Sequence, residues 1–393
     1  MVTSSSGPLP PIPLIVLTGF LGAGKTTLLN KLLREPEMAD TVVIINEFGE
    51  IGIDHQLVEQ VDDTMVLMAS GCLCCTIRGD LVTTLEDLLR RRDNGRIVPF
   101  RRVVIETTGL ADPAPVLHTV LRHPYLGLRY ALDGVTTLVD AVNGVDTIDR
   151  HAEALKQVAM ADRLVVTKTD LLAQKPDGET RLSALRARLR SLNPAAPILE
   201  PVPDGSLPEG GLTGFVAGCG LYDVDGKIGD VRRWLNAEAL DEQNSHHHHH
   251  EHDHAHAHTH THTHKHDVNR HDEHIRAFCL TTDTPISRWR FDAFLDLLLS
   301  AHGPALLRVK GLVQIAEEPE RPVVIQGVQH VLHEPRKLAA WPDDDHRTRI
   351  VFIVRDLDES FIKRLWSAFN DEPSIDTPDA AALVNNPLAI PGR

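Results

Sequence analysis

Three of the chain's five cysteines, Cys72, Cys74 and Cys75, fall within four residues of the stretch SGCLCCT. Cysteines this close are poor staples for a fold, and the other two, Cys219 and Cys279, stand alone, so disulfide use is not expected. Three soft thiolates on one short loop suit a transition metal. Zn²⁺ would accept two or three of them at about 2.3 Å and complete a tetrahedron with Glu50, a histidine or water. Co²⁺ and Ni²⁺ are alternatives, raw affinity favours copper over zinc, and thiolates disfavour Mg²⁺ and Mn²⁺. Cys72 and Cys74 flank Leu73 and would point the same way from an extended loop, leaving Cys75 elsewhere unless the loop curls.

A second constellation is GFLGAGKTT, with Gly19, four residues, then Gly24, Lys25 and Thr26. That spacing is a P-loop, whose glycines let backbone N–H groups turn onto phosphate oxygens. Lys25 would supply a point charge to the β and γ phosphates, Thr26 a hydroxyl for Mg²⁺, and the following helix its positive end. In TKTD, Asp170 stands two residues after Lys168 and can accept hydrogen bonds from guanine N1–H and its exocyclic amine. Adenine lacks that donor pair and would leave the carboxylate unsatisfied, so GTP is the expected nucleotide. VVIETTGLADP places Glu106 at a strand end, where a carboxylate orients Mg²⁺, its water or the attacking water. Gly109 in the same stretch would bring its N–H to the γ phosphate. INEFGEIGIDHQL carries Asn46, Glu47, Glu50 and Asp54 in a loop with two glycines, the composition of a switch loop ordered by Mg²⁺ and γ phosphate.

A third feature is HHHHHEHDHAHAHTHTHTHKHDVNRHDEH, residues 246–274, which holds fifteen of the chain's 23 histidines. The run is internal, irregular and mixed with acidic residues, which argues against an expression tag. Imidazoles at this density, beginning with His246, His247, His248, His249, His250, His252, His254 and His256, are read as a low-affinity metal store.

The elements that must position these groups follow from hydrophobic pattern. IPLIVLTG, DTVVIIN, RRVVIETTG, GVTTLVDA and RLVVTKTD are apolar runs with little alternation, as in strands buried on both faces of a parallel sheet. Helical patterns such as KTTLLNKLL and LVTTLEDLLRR lie between them, so a doubly wound α/β domain is expected over 12–205. A loose tail, 1–11, precedes it. Residues 206–274 read as a connector ending in the histidine run. From 275 to 370, hairpin-linked strands around two helices read as a smaller α+β domain, and 371–393 as a second loose tail.

The net charge of −15 and an aromatic content of 4% argue against nucleic acid or an anionic membrane as partner. The N-terminal stretch lacks a basic region and is not expected to be a secretory signal; with so few cysteines the protein reads as cytoplasmic.

The P-loop, INEFGEIGIDHQLV, SGCLCC, ETTGLADP and TKTDL, in this order, resemble the CobW family of metal-trafficking P-loop GTPases, relatives of UreG and HypB. The likeness is specific over 12–205 and one of pattern over 275–370. It implies that Gly22, Ala23, Gly24, Lys25, Thr26 and Thr27 bind phosphate, with Thr26 on Mg²⁺ and Glu47 and Glu106 at the magnesium site or its waters. It also implies that Lys25 and Glu106 serve catalysis, that Cys72, Cys74 and Cys75 form the family's C-x-C-C metal motif, and that Thr167, Lys168 and Asp170 face the base. Thr167 stands where many GTPases have asparagine. The expectation is a GTP-hydrolysing metallochaperone that delivers zinc to a client protein. Alternatives are cobalt handling for cobalamin synthesis, or a metal buffer or sensor with little hydrolysis. A nucleotide-dependent homodimer is left open.

Overall fold

The computed structural model describes residues 10–48, 65–70, 76–200, 211–218, 274–333 and 335–370, with backbone alone at 46–48, 65–70 and 76–80. In chain order, β1 (Ile12–Gly19) leads through the glycine-rich turn to α1 (Lys25–Leu32). Then come β2 (Thr41–Phe48), β3 (Met65–Ser70), α2 (Thr76–Asp93), β4 (Arg102–Glu106), α3 (Ala114–Arg122) and α4 (Pro124–Arg129). The domain continues with β5 (Tyr130–Asp140), α5 (Gly144–Arg150), α6 (Ala152–Met160), β6 (Arg163–Thr167), α7 (Thr169–Ala173), α8 (Gly178–Leu192), β7 (Ile198–Leu199) and α9 (Gly211–Val216).

The seven strands form one sheet in the order β3-β2-β4-β1-β5-β6-β7, and every pairing is parallel. Alternate residues of β1 show why its sequence is apolar throughout. Leu14 and Val16 join a core with Leu85, Leu117, Val158 and Leu189 on one face. Ile15 and Leu17 join Leu28, Leu29 and Leu32 of α1 on the other. The chain winds in opposite directions from β1, so the turn after β1 opens at the switch point of the sheet, where ligands of such folds bind.

The second domain contains β8 (Ile275–Thr282), α10 (Arg288–His302), β9 (Leu306–Val313), β10 (Val323–Val328), β11 (Val331–Leu332), β12 (Arg336–Lys337), β13 (Thr348–Arg355) and α11 (Glu359–Asn370). Its sheet, β11-β10-β9-β13-β8 with β12 on β10, is antiparallel. Ile350, Phe352 and Val354 point to Phe291, Phe294 and Trp366 of the two helices. Ile275, Leu307, Val328 and Ile353 leave from the other face into the core of the first domain.

The contact between domains also holds a buried polar knot. Asp162, between α6 and β6, accepts on one carboxylate oxygen from Arg308, from Lys310 at 2.6 Å and from Gln326 at 3.2 Å. Its other oxygen accepts from the Val135 N–H at 2.9 Å. Burial pushes its pKa up, but Arg308 and Lys310 outweigh that and hold it at about 2.

Four strands, β3, β7 and the two-residue β11 and β12, and the helix α9 were not foreseen from sequence. β3, MVLMAS, and the two-residue β7 extend the sheet at its edges, so TKTD closes the sixth strand rather than the fifth. α9 lies in the stretch read as connector, where Leu212 and Val216 bury against the α1 side of the sheet. Cys72, Cys74, Cys75, Glu50 and the histidines from His246 to His256 lie outside the described residues.

Candidate phosphate and nucleotide site

The site begins where β1 ends. Gly22 and Gly24 have φ of +72° and +90°, the left-handed conformation that glycine adopts without a Cβ penalty and that turns the loop back on itself. Gly24 is the N-cap of α1 and offers no side chain to its amides, which leaves that helix end to an anion. Lys25 curls over the turn, its Nζ donating to Gly19 O at 3.0 Å and Phe20 O at 3.3 Å. Thr26 Oγ1 donates to Glu106 Oε1 at 3.0 Å, and Glu106 is only 5% exposed at the end of the neighbouring β4. A hydroxyl and a carboxylate in contact beside a phosphate turn are the oxygen donors Mg²⁺ takes, so these residues fit the ion.

Further bonds hold this edge. Thr107 Oγ1 donates to Thr18 Oγ1 at 2.8 Å and ties β4 to β1. Thr167 Oγ1, at the end of β6, donates to Ala23 O at 2.7 Å and braces the P-loop from the far side. That contact gives the threonine a defined role where an asparagine is more common. Lys168 has φ of +58° and is the N-cap of α7, and its Nζ pairs with Asp140 at 2.8 Å. Asp170 lies exposed in the first turn of α7, open to a base.

Gly19 to Thr27, Glu106, Gly109, Thr167, Lys168 and Asp170 therefore lie along one edge of the sheet. Two residues bonded into this end of the sheet escaped the sequence reading. Asp140 ends β5 and accepts from Lys168, from the Val142 N–H at 2.7 Å and from Asn143 at 3.1 Å. Burial pushes its carboxyl up, and these donors outweigh that to hold it below the usual range. An acid at the C-terminal end of a buried parallel strand is a signal that could have marked it. Gln157 on α6 has no such local mark. Phe20, Leu21, Asp140, Asn143 and Gln157 wall a cavity of about 250 Å³ beside the P-loop. Among the described residues, no cluster of three or more His, Cys, Asp or Glu is placed to hold a metal ion.

A phosphate turn at the switch point of a wholly parallel sheet defines the class: the chain is a P-loop nucleotide-binding protein. Residues 13–200 match the CobW/HypB/UreG nucleotide-binding domain and residues 275–370 the C-terminal domain of the cobalamin synthesis protein cobW. The chain belongs to the CobW family. It is 33% identical over 357 residues to the zinc chaperone YjiA of Escherichia coli, covering 91% of this chain and 98% of that one. It is 36% identical over 200 residues to the zinc-regulated GTPase metalloprotein activator 1 of Schizosaccharomyces pombe, covering 49% of this chain and 46% of that one. The crystal structure of Zn(II)-bound YjiA GTPase from E. coli is similar with a TM-score of 0.61 at 28% identity, over 92% of this chain and 99% of that one.

Proposed function

We propose that this protein is a GTP-hydrolysing metallochaperone: it binds zinc at Cys72, Cys74 and Cys75 and releases it to a client metalloprotein as its nucleotide changes. The observation that carries the reading is the register of the parallel sheet. Glu106 of β4 is level with Leu17 of β1 and Ile45 of β2, and Phe48 of β2 is level with Ser70 of β3. The chain enters the cysteine stretch at Ser70, two strands from Glu106, a lateral offset of about 10 Å at normal strand spacing. The acidic stretch that follows β2 starts between the two. The phosphate turn, Glu106 and the strand ends from which the chain enters the acidic and cysteine stretches thus share one end of neighbouring strands, which supports a coupling between metal and γ phosphate. The names of the E. coli and S. pombe relatives support zinc and delivery to a client.

In this reading Lys25 neutralises the β and γ phosphates. Thr26 and Glu106 hold Mg²⁺ or its waters, with Glu47 added from the acidic stretch, and Asp170 reads guanine. Mg²⁺ supplies charge neutralisation on the phosphates. Glu50 is a candidate fourth ligand to zinc, and the histidine run is a store beside the tighter site. Thiolate ligands need a reducing compartment, which supports the cytoplasm. Among the described residues no helix is long and apolar enough to cross a membrane.

The test is a Zn²⁺ titration of the protein loaded with a non-hydrolysable GTP analogue and then with GDP. The expected difference in affinity is about 5- to 150-fold, with a reciprocal effect of zinc on nucleotide affinity. Equal affinities in the two forms would remove the chaperone cycle. Unchanged tight binding in a Cys72/Cys74/Cys75 triple serine variant would move the metal site elsewhere.

A further inference from the structure

Helix α6 touches the P-loop, the loop after Glu106 and the C-terminal domain in turn. At its N-cap, His151 stacks on Phe20 of the P-loop, ring centroids 4.5 Å apart. In its middle, Gln157 is 1% exposed, and its Nε2 donates to Gly109 O at 3.2 Å and Ala111 O at 2.9 Å. Both partners are carbonyl oxygens, so the NH₂ group is the end that faces them. The preceding residue, Lys156, pairs with Asp112 at 2.9 Å. Thr137 of β5 fixes the backbone at that point, its Oγ1 donating to Gln157 O at 2.7 Å. At the C-terminal end, Asn193 Nδ2 donates to Val158 O and Ala161 O, both at 2.9 Å. Asp162 then enters the grip of Arg308, Lys310 and Gln326.

We infer that Gln157 is a positioning residue for GTP hydrolysis, and that the C-terminal domain supports it by anchoring α6 through Asp162. The inference rests on the reading of Glu106 and Gly109 as the groups that face the γ phosphate. A buried amide that donates to two carbonyls two residues apart leaves the segment between them one setting. Gly109 N–H and, three residues earlier, Glu106 are set with it. Lys156 on Asp112 holds the far end of the same segment. None of these bonds touches the groups assigned to the base or to the α and β phosphates. Their loss should therefore act on the chemical step and spare nucleotide binding.

The experiment is steady-state GTP hydrolysis by the full-length chain, with melting temperature measured on every variant. Gln157→Met keeps length and approximate volume but removes both donors. Its kcat should fall by about tenfold to a hundredfold, the scale of an ångström-sized misplacement, with KM and GDP affinity within about twofold. Gln157→Glu should fall at least as far, because its carboxylate meets two carbonyl oxygens. Lys156→Met, at a partly exposed position, should lower kcat by a smaller factor in the same pattern, and it decides the matter if Gln157→Met does not fold. Arg308→Met should lower kcat without raising KM and should speed amide hydrogen exchange at residues 107–112. Glu106→Gln is assayed alongside. Normal turnover in Glu106→Gln would defeat the reading of the site itself. Loss of turnover there, with undiminished kcat in folded Gln157→Met or Lys156→Met, would overturn the role of α6. A KM that rises as kcat falls would overturn it too. Unchanged exchange and turnover in Arg308→Met would remove the C-terminal domain from the account.

Discussion

At Gly109 an added methyl group would lie 2.6 Å from the Leu21 backbone nitrogen and 2.8 Å from its Cα. Both obstacles are backbone, so no rotamer change relieves the clash and the P-loop or the Gly109 segment must shift. Gly109→Ala is expected to cost about 1–3 kcal/mol of stability by overpacking. It should also lower kcat/KM by about a hundredfold through misplacement of the reacting groups. Denaturant unfolding and GTP turnover on the same preparation check both. Asp170 makes the opposite case, because it is exposed and its change leaves the core alone. Asp170→Asn should weaken GTP binding by about 1.5–3 kcal/mol and favour a xanthine over a guanine nucleotide, since an amide donates where the carboxylate only accepts. Competition binding with GTP, xanthosine triphosphate and ATP measures it. If ATP already equals GTP in the parent chain, Asp170 does not read the base. The positions of the P-loop residues and of Asp170 at this end of the sheet were legible in the sequence because each is marked by a few neighbouring residues. Gln157 was not, because nothing beside it in the chain announces that its amide will meet Gly109 and Ala111, 46 or more residues earlier.

The same division holds for elements. β8 was readable to its ends as IRAFCLTT, and helix α11 nearly so as ESFIKRLWSAF, since a dense apolar pattern sits between polar neighbours. β3 escaped because MVLMAS contains two methionines and follows an acidic stretch, and only its register with β2 makes it a strand. α9 is six residues long, so the helical spacing of Leu212, Phe215 and Val216 is not repeated through a second turn that would have marked it. What holds α9 is remote: Glu35, just past α1, accepts from the Leu212 N–H at 2.9 Å and the Thr213 N–H at 2.7 Å. Composition is a stronger guide for the histidine run, which is too polar to belong to a core. Deleting residues 246–274 should lower the number of zinc ions bound at saturation while sparing GTP turnover and the tightest site. Metal analysis and zinc titration of the deletion variant test this, and loss of the tightest site would make the histidines the principal ligands.

For the whole molecule, the contact between domains carries its own pH dependence. His333 stands near Arg308, Lys310, Arg336 and Asp162. Burial, then the nearby Arg308, lowers its pKa to about 4, against a carboxylate that pulls the other way. A histidine that is neutral when folded and protonates more readily when unfolded costs no stability above its ordinary pKa near 6.5. Stability is lost as pH falls from there toward 4, by a few kcal/mol at most for this group. Asp162, held at about 2, adds a further loss only below the ordinary aspartate range. Unfolding midpoints in denaturant should thus decline between pH 6.5 and 4, and His333→Gln should flatten that decline. An equal slope in the variant would assign it to other groups.

Because Ile275, Leu307, Val328 and Ile353 belong to the same hydrophobic core as Leu155, Val158 and Leu189, the two domains are joined by packing as well as by covalent chain. His118 adds a hydrogen bond across the same contact, its Nε2 donating to Val328 O at 3.2 Å. As a tether, the peptide connection between Gly218 and His274 raises the local concentration of one half around the other, a role that depends only weakly on its length. Nicked within that stretch, or encoded as two separate polypeptides, the halves should find each other and travel together through purification. Insertions and deletions there should leave the contact between the halves intact, whatever they do to the metal that the histidines hold.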